Sequence, residues 1–238
     1  MVSAKRRKRE NGSEILEFAI VFALFAPLML GAFITGMNLL RSLIANQMCR
    51  DLANMYIHGA DFSTYPMQQE AQRLAEGLNL QIGSAFASGV SNENSNTSNS
   101  GNGIVTVTQV MWVGATTSPD CTAVPSGQTC NSNSFVFTQR IQFGNGTVGG
   151  QYPSALGNPT GTALSNMTSA GIIQNPTYDS SAKLPSAGQT LMQNLWPTSG
   201  TTGLTDGQVI YVVEVYFQSP DLNISSLSGN GVYARYFF

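Results

Sequence analysis

The feature that most constrains this chain is the run from Phe18 to Leu40, FAIVFALFAPLMLGAFITGMNLL, in which no side chain is charged. About 23 residues of helix extend about 35 Å, which is enough to cross the hydrocarbon core of a bilayer. A helix is expected because hydrocarbon offers the backbone no other hydrogen-bond partner. A secretory signal peptide has a shorter apolar region of about 7–15 residues followed by a small-residue cleavage site. The run therefore predicts a retained, single-pass transmembrane helix.

Basic residues are concentrated on one side of this run. Of the 11 Lys and Arg residues, five stand together from Lys5 to Arg9, directly before the apolar segment. The positive-inside rule then places the N-terminus in the cytoplasm and everything after about residue 42 on the other side of the membrane. With 238 residues, of which 42% are hydrophobic, the chain is long enough to bury a core there.

A short motif lies between the basic cluster and the apolar run. The stretch KRRKRENGSEILEFAIVF contains Gly12, then Glu17 five residues later, and Phe18 opens the apolar segment. A carboxylate at the mouth of a transmembrane helix is costly unless it is paired or stays at the headgroup level. One interpretation of Glu17 is an interfacial residue favoured by the positive end of the helix dipole.

The order of these residues resembles the class III signal of type IV pilins and pseudopilins, and the Glu-Phe pair most resembles TadE/TadG-like proteins of tight-adherence pilus systems. This resemblance covers about residues 5–58. It implies that a prepilin peptidase cuts after Gly12 and makes Ser13 the new N-terminus. It further implies a minor pilin or pseudopilin of the bacterial inner membrane, with other pilin subunits as partners and a periplasmic or extracellular C-terminal domain.

The implied cut gives Glu17 a physical role. The new α-ammonium group at Ser13 would lie about one helical turn from the Glu17 carboxylate, so the two would attract in low dielectric. By the resemblance, Glu17 and Phe18 would set the register against a neighbouring subunit. Removing the five basic residues and Glu10 from 11 basic and 13 acidic residues leaves six and 12. A product this acidic is not expected to bind nucleic acid.

Beyond the membrane, the spacing predicts that the helix continues over residues 41–57 and stops near Gly59. Pro66 is expected to open a second helix. Its predicted apolar face consists of Met67, Ala71, Leu74, Leu78 and Ile82. The segment 87–103 is almost entirely small and polar, which predicts a flexible linker.

Period-two patterns follow the linker and predict an antiparallel sheet with one buried face. The alternating residues are Val105, Val107, Met111 and Val113 in one strand, Phe135, Phe137, Ile141 and Phe143 in the next, and Val209, Tyr211, Val213, Val215 and Phe217 in the third. The C-terminal VYARYFF is a candidate fourth strand. Residues 144–207 lack a period, apart from a short apolar patch at 188–196, and are predicted to be an irregular insertion.

The predicted fold class is therefore α+β. Its parts are a basic leader (1–12), a transmembrane and stem helix (13–58), a second helical segment (59–86), a polar linker (87–103) and an extracytoplasmic β-rich domain (104–238) that contains the insertion (144–207).

The three cysteines divide into a pair and a single residue. Cys121 and Cys130 bracket a short loop between two predicted strands, in a region that the topology places in an oxidising compartment. A disulfide there would contribute about 2–3 kcal/mol in the chain-entropy model. For Cys49 two interpretations stay open: a buried small hydrophobic residue, or a link between two protomers.

No pattern indicates catalysis. The chain has one histidine, His58, at the expected end of the first helix, where it can interact with helix carbonyl groups. Metal-ligand, nucleophile and phosphate-binding motifs are absent from the sequence, so no metal, cofactor or small-molecule substrate is predicted. The predicted function is structural rather than enzymatic. The alternative is an uncleaved single-pass envelope protein with an external binding domain.

Overall fold

A computed structural model describes residues 3–75, 96–98, 101–151, 153–196, 203–218 and 231–238. They contain six α-helices and a five-stranded sheet, and the chain divides into two compact units, residues 1–41 and 42–238. The helices are α1 (Ser3–Ile57), α2 (Tyr65–Leu74), α3 (Pro119–Thr122), α4 (Gly146–Gln151), α5 (Gly161–Ser165) and α6 (Ser186–Leu195). The strands are β1 (Asn96–Ser98), β2 (Gly103–Val113), β3 (Ser134–Asn145), β4 (Val209–Gln218) and β5 (Gly231–Phe237).

The first unit consists of the N-terminal part of α1, which continues without interruption through Pro27. Most of its large apolar side chains are exposed, including Phe18 at 70% and Leu28 at 71%. Among the described residues, α1 is the one helix long and apolar enough to cross a membrane. Exposed apolar side chains all round a helix are typical of a segment that lipid surrounds. The structure is therefore compatible with single-pass insertion.

The second unit is built on the sheet, whose strand order is β1-β3-β2-β4-β5. Four of its strands form an antiparallel series, and β1 pairs in parallel with the edge of β3. The four antiparallel strands are those that the period-two patterns and the C-terminal segment predict. The α+β class with a small antiparallel sheet is confirmed. Part of the predicted linker, Asn96–Ser98, forms β1, and most of the remainder lies outside the described residues.

The C-terminal turns of α1 and the short helix α2 pack on one face of the sheet. We call this contact the helix-side core. Its buried members are Ala45, Met48, Cys49, Leu52, Ala53, Tyr56, Phe62, Ala71, Ala75, Val105, Val107, Ile141, Phe143, Val213, Val215, Phe217 and Ala234. The members from α1 recur at three- and four-residue steps. They therefore lie on one side of the helix and can all be buried against the sheet.

Both predicted helix boundaries have a local cause. Gly59 ends α1 with a φ of 87°, and the N–H of Ala60 donates to the carbonyl oxygen of Met55 at 3.0 Å, which is the Schellman arrangement. Pro66 lies in the first turn of α2, where its missing N–H costs nothing. The predicted apolar positions Leu78 and Ile82 lie outside the described residues.

The prediction of a single buried sheet face is wrong. The opposite face is covered by residues 153–196, which we call the cap. We call the buried contact between the sheet and the cap the cap-side core. Its members from the sheet are Val110, Trp112, Phe135, Phe137, Ile210 and Val212. Its members from the cap are Leu156, Ala163, Ile173, Ala182, Leu184 and Met192. Apolar cap residues are spread thinly among Gly, Pro, Ser and Thr, so no period revealed that they share one core.

The prediction that four alternating residues of β3 share one face is also wrong. Gln109 pairs with Gln139, but the next residue, Val110, pairs with Phe137, so Thr138 is an extra residue in β3. This β-bulge reverses the alternation. Phe135 and Phe137 therefore belong to the cap-side core, while Ile141 and Phe143 belong to the helix-side core.

The cap contains short helices joined by irregular chain. The apolar patch that the sequence singles out at 188–196 is helical as far as Leu195, where α6 ends. This helix lies directly against the backbone of the cap's first residues, because a Cβ added at Gly188 would stand 2.5 Å from the carbonyl oxygen of Leu156. Glycine at this position lets the two cap segments approach each other closely.

Candidate functional site

The four residues of the predicted processing signal lie on adjacent turns of α1. Gly12 and Ser13 fall within the helix, and Glu17 and Phe18 follow one turn later with exposed side chains. The Phe18 ring stacks on Phe22, with 6.0 Å between the ring centroids. The structure thus places the candidate cut site and the candidate register residue on one continuous helix.

The structure links Cys121 and Cys130, the predicted pair, by a disulfide with a Cα–Cα distance of 5.3 Å. Cys121 belongs to the short helix α3 and is buried beside Val113 and Val136. The bridge therefore joins the loop after β2 to the segment that enters β3.

Two carboxylates meet beside this bridge. One oxygen of Asp206 accepts a hydrogen bond from the N–H of Gly114 at 2.6 Å, and the other accepts from the N–H of Asp120 at 3.1 Å. Burial and the nearby charge of Asp206 raise the pKa of Asp120. Burial also disfavours the charge on Asp206, but the hydrogen bonds from Gly114 and Asp120 outweigh it, so the pKa of Asp206 is lowered. No local pattern in the sequence indicates this pair, because its members are 86 residues apart in the chain.

Two charged residues are buried on the cap side of the sheet, and neither was predicted. Glu214 in β4 is 4% exposed and Arg140 in β3 is 1% exposed. Oε1 of Glu214 accepts hydrogen bonds from the N–H of Ala155 at 3.0 Å and from the hydroxyl of Tyr233 at 2.5 Å, and Oε2 accepts from the hydroxyl of Ser154. Burial and the charge of Glu214 raise the pKa of Tyr233, which keeps its phenol a donor.

Arg140 satisfies its guanidinium within the protein. It donates to the side-chain oxygens of Asn158 at 2.5 Å and Thr108 at 3.2 Å. Burial lowers the pKa of Arg140 to about 10, against the opposing effect of Glu214, so the side chain remains a cation at neutral pH. The period-two pattern places Arg140 and Ile141 on opposite faces of the sheet, and the face with Arg140 was predicted to be exposed. The sequence therefore held no signal for the burial of Arg140.

The remaining singled-out residues have structural surroundings. Cys49 is 1% exposed and its thiol donates to the carbonyl oxygen of Val213 at 3.0 Å, in agreement with a buried small residue. Nδ1 of His58 lies 2.7 Å from the carbonyl oxygen of Asn54, one turn earlier in the same helix, as the helix-end interpretation predicts.

An open groove of about 480 Å³ lies between α1 and β5. It is lined by Leu43, Asn46, Gln47, Arg50 and Tyr236. Across the described part of the chain, no three His, Cys, Asp or Glu side chains are grouped so that they could hold a metal ion.

Comparisons with protein-family models, with curated proteins and with solved structures find no match for this chain. The functional interpretation consequently depends on the residues themselves.

Proposed function

We propose that this protein is a minor pilin- or pseudopilin-like structural subunit, without enzymatic activity, that acts in the assembly of a tight-adherence pilus or of the linked secretion apparatus. The observation that carries the proposal is the order of the basic cluster, Gly12, Glu17 and Phe18 at the start of an apolar helix whose side chains are exposed. In this arrangement a cut after Gly12 removes the charged leader and leaves the apolar helix attached to the domain.

The position of Glu17 supports an assembly role. A carboxylate in the outer part of a bilayer needs a cationic partner, and the cut creates one in the α-ammonium group at Ser13. Because that group and Glu17 are one helical turn apart, either an internal pair or a pair with the N-terminus of a neighbouring subunit is within reach. A second subunit would find the exposed side chain of Glu17 next to the exposed ring of Phe18.

The second unit supports the same proposal, since it incorporates the helix that processing would retain. Residues Ala45 to Tyr56 of α1 supply a large part of the helix-side core. Cleavage after Gly12 would leave all of these residues in place. The proposed mature protein is a single-pass protein of the bacterial inner membrane with its folded domain in the periplasm or outside the cell, and its partners are the prepilin peptidase and other pilin or pseudopilin subunits.

The first experiment tests processing. The mass of the N-terminal peptide is measured for protein taken from membranes of cells with and without a prepilin peptidase, for the natural chain and for Gly12→Val. Gly36→Val is a matched control, because a side chain added at Gly36 meets nothing within 4 Å. We expect a chain that starts at Ser13 only when both the peptidase and Gly12 are present. An intact leader in every sample would contradict the proposal and favour the uncleaved envelope protein.

The second experiment tests assembly separately from processing. Glu17→Gln removes the carboxylate from the proposed register position, and Glu14→Gln makes the same change three residues away on an equally exposed part of the helix. We expect both variants to be cleaved, and only Glu17→Gln to lose co-purification with other pilin subunits and surface pili. Equal assembly of both variants would leave Glu17 as an interfacial residue without a role in register.

A further inference from the structure

Backbone hydrogen bonds join the later part of the cap to β3, such as the one from the N–H of Ile173 to the carbonyl oxygen of Thr138 at 2.8 Å. The start of the cap is held instead by a buried carboxylate of β4. Glu214 accepts three hydrogen bonds from protein donors, and two of the donors, Ser154 and Ala155, are consecutive residues at the start of the cap. The third donor, Tyr233, belongs to β5 and holds the carboxylate from the sheet side.

The buried cation beside it contacts the same short segment. Arg140 donates to Asn158, four residues after Ser154, and to Thr108 of the neighbouring strand. Residues 154–158 thus meet both buried charges of the sheet, and Leu156 between them is fully buried in the cap-side core. We call the contacts of residues 154–158 with Glu214 and Arg140 the latch.

The chemistry of the latch differs from that of the apolar contact around it. A buried ionised group is tolerated only while its hydrogen bonds are made, and leaving it unsatisfied costs far more than a neutral contact does. When the cap leaves the sheet, water would solvate Glu214 and Arg140. This solvation offsets part of the free-energy cost of opening. The helix-side core lies on the opposite face of the sheet and shares no buried residue with the cap-side core.

We propose that the latch governs a local opening of the cap, in which residues 153–196 leave the sheet together while the helix-side core stays folded. The cap is then a conformational device built onto the sheet, and its opening exposes the apolar sheet residues that it covers. Such sub-global opening is expected where two cores of one domain are held by separate contacts.

Amide hydrogen exchange measured by mass spectrometry on the full chain in detergent tests this inference. Glu214→Gln keeps the shape of the side chain but removes its charge, and Glu70→Gln makes the same change on the exposed surface of α2. In Glu214→Gln we expect the amides of residues 153–196 to exchange at least about tenfold faster, because buried hydrogen bonds to a charged group are lost. The amides of α2 and of residues 44–56 should exchange at their natural rates. Glu70→Gln should change neither region.

Tryptophan provides a second readout, because both tryptophans of the chain, Trp112 and Trp196, belong to or pack against the cap-side core. Acrylamide quenching should therefore rise in Glu214→Gln at temperatures below global unfolding. If Glu214→Gln does not fold, Ser154→Ala and Asn158→Ala, which change only the cap side of the latch, provide the same test. Faster exchange spread equally over both cores, or unchanged exchange and quenching in all latch variants, would overturn the proposal.

Discussion

The thiol of Cys49 in α1 donates a hydrogen bond to the backbone carbonyl oxygen of Val213 in β4, with 3.0 Å between sulfur and oxygen. This contact joins the stem helix to the face of a central strand of the sheet and buries the thiol.

A buried thiol should not react with reagents in water. We expect Cys49 in the full chain in detergent to resist maleimide labelling until the domain is denatured, because its side chain is 1% exposed. A Leu43→Cys variant is the control, since position 43 is 68% exposed on the same helix and should label at once. Rapid labelling of Cys49 in the native protein, or a dimer on a non-reducing gel that Cys49→Ala abolishes, would contradict this burial.

The helix-side core should depend on the turns of α1 that it contains. Leu52 is fully buried, and Leu52→Ala should lower the free energy of unfolding by about 2–5 kcal/mol through lost burial and a residual cavity. Leu43→Ala, on the exposed side of the same helix, should change it by less than about 0.5 kcal/mol. Chemical denaturation of the two variants in one detergent gives the comparison. Similar effects at both positions would mean that the helix does not pack through the Leu52 face.

The division of the chain predicts which fragment folds. A chain that starts at Ser42 retains every buried residue of the helix-side core, whereas a chain that starts at His58 lacks Ala45 through Tyr56. We expect the first fragment to be monomeric in buffer without detergent and to unfold cooperatively, and the second to aggregate. Size-exclusion chromatography and thermal circular dichroism distinguish these results. Cooperative unfolding of the shorter fragment would show that the stem is dispensable for the domain.

The two neighbouring aspartates should have opposite effects on stability. The pKa of Asp120 is raised, so its contribution is favourable at low pH and is lost as the pH rises through the folded-state pKa. The pKa of Asp206 is lowered, so its contribution is present at neutral pH and is lost as the pH falls through its folded-state value. At pH 7, Asp206→Asn should lower the melting temperature, while Asp120→Asn should leave it unchanged or raise it.

The effect of Asp120→Asn on the melting temperature should also depend on pH. Any increase in melting temperature should shrink as the pH falls toward about 4, the ordinary range of a carboxyl group, because natural Asp120 is then neutral as well. Melting temperatures from pH 7 to pH 4 test this. A loss of stability at pH 7 in Asp120→Asn as large as that in Asp206→Asn would show that the carboxylates are not held in these different states.

Local patterns in the sequence were sufficient for the long helix, the start of α2 and the antiparallel strands, but not for β1 or the shortest helices. The charge-free run predicts α1, Gly59 and Pro66 mark the helix boundaries that the structure has, and alternation locates β2, β3 and β4. Each of these features depends on a residue and its near neighbours in the chain, such as a positive φ at Gly59 or a missing N–H at Pro66. The pairing of Cys121 with Cys130 is equally local, since the loop between them is short.

Only the tertiary structure decided how the sheet is covered. The bulge at Thr138 moves Phe135 and Phe137 to the cap side, and the cap then buries Glu214 and Arg140. These outcomes depend on the register between strands and on contacts such as Ser154 with Glu214, whose partners are distant in the chain. A period describes which residues can share a face, but the free energy of burying a charge depends on the groups that another segment brings to it.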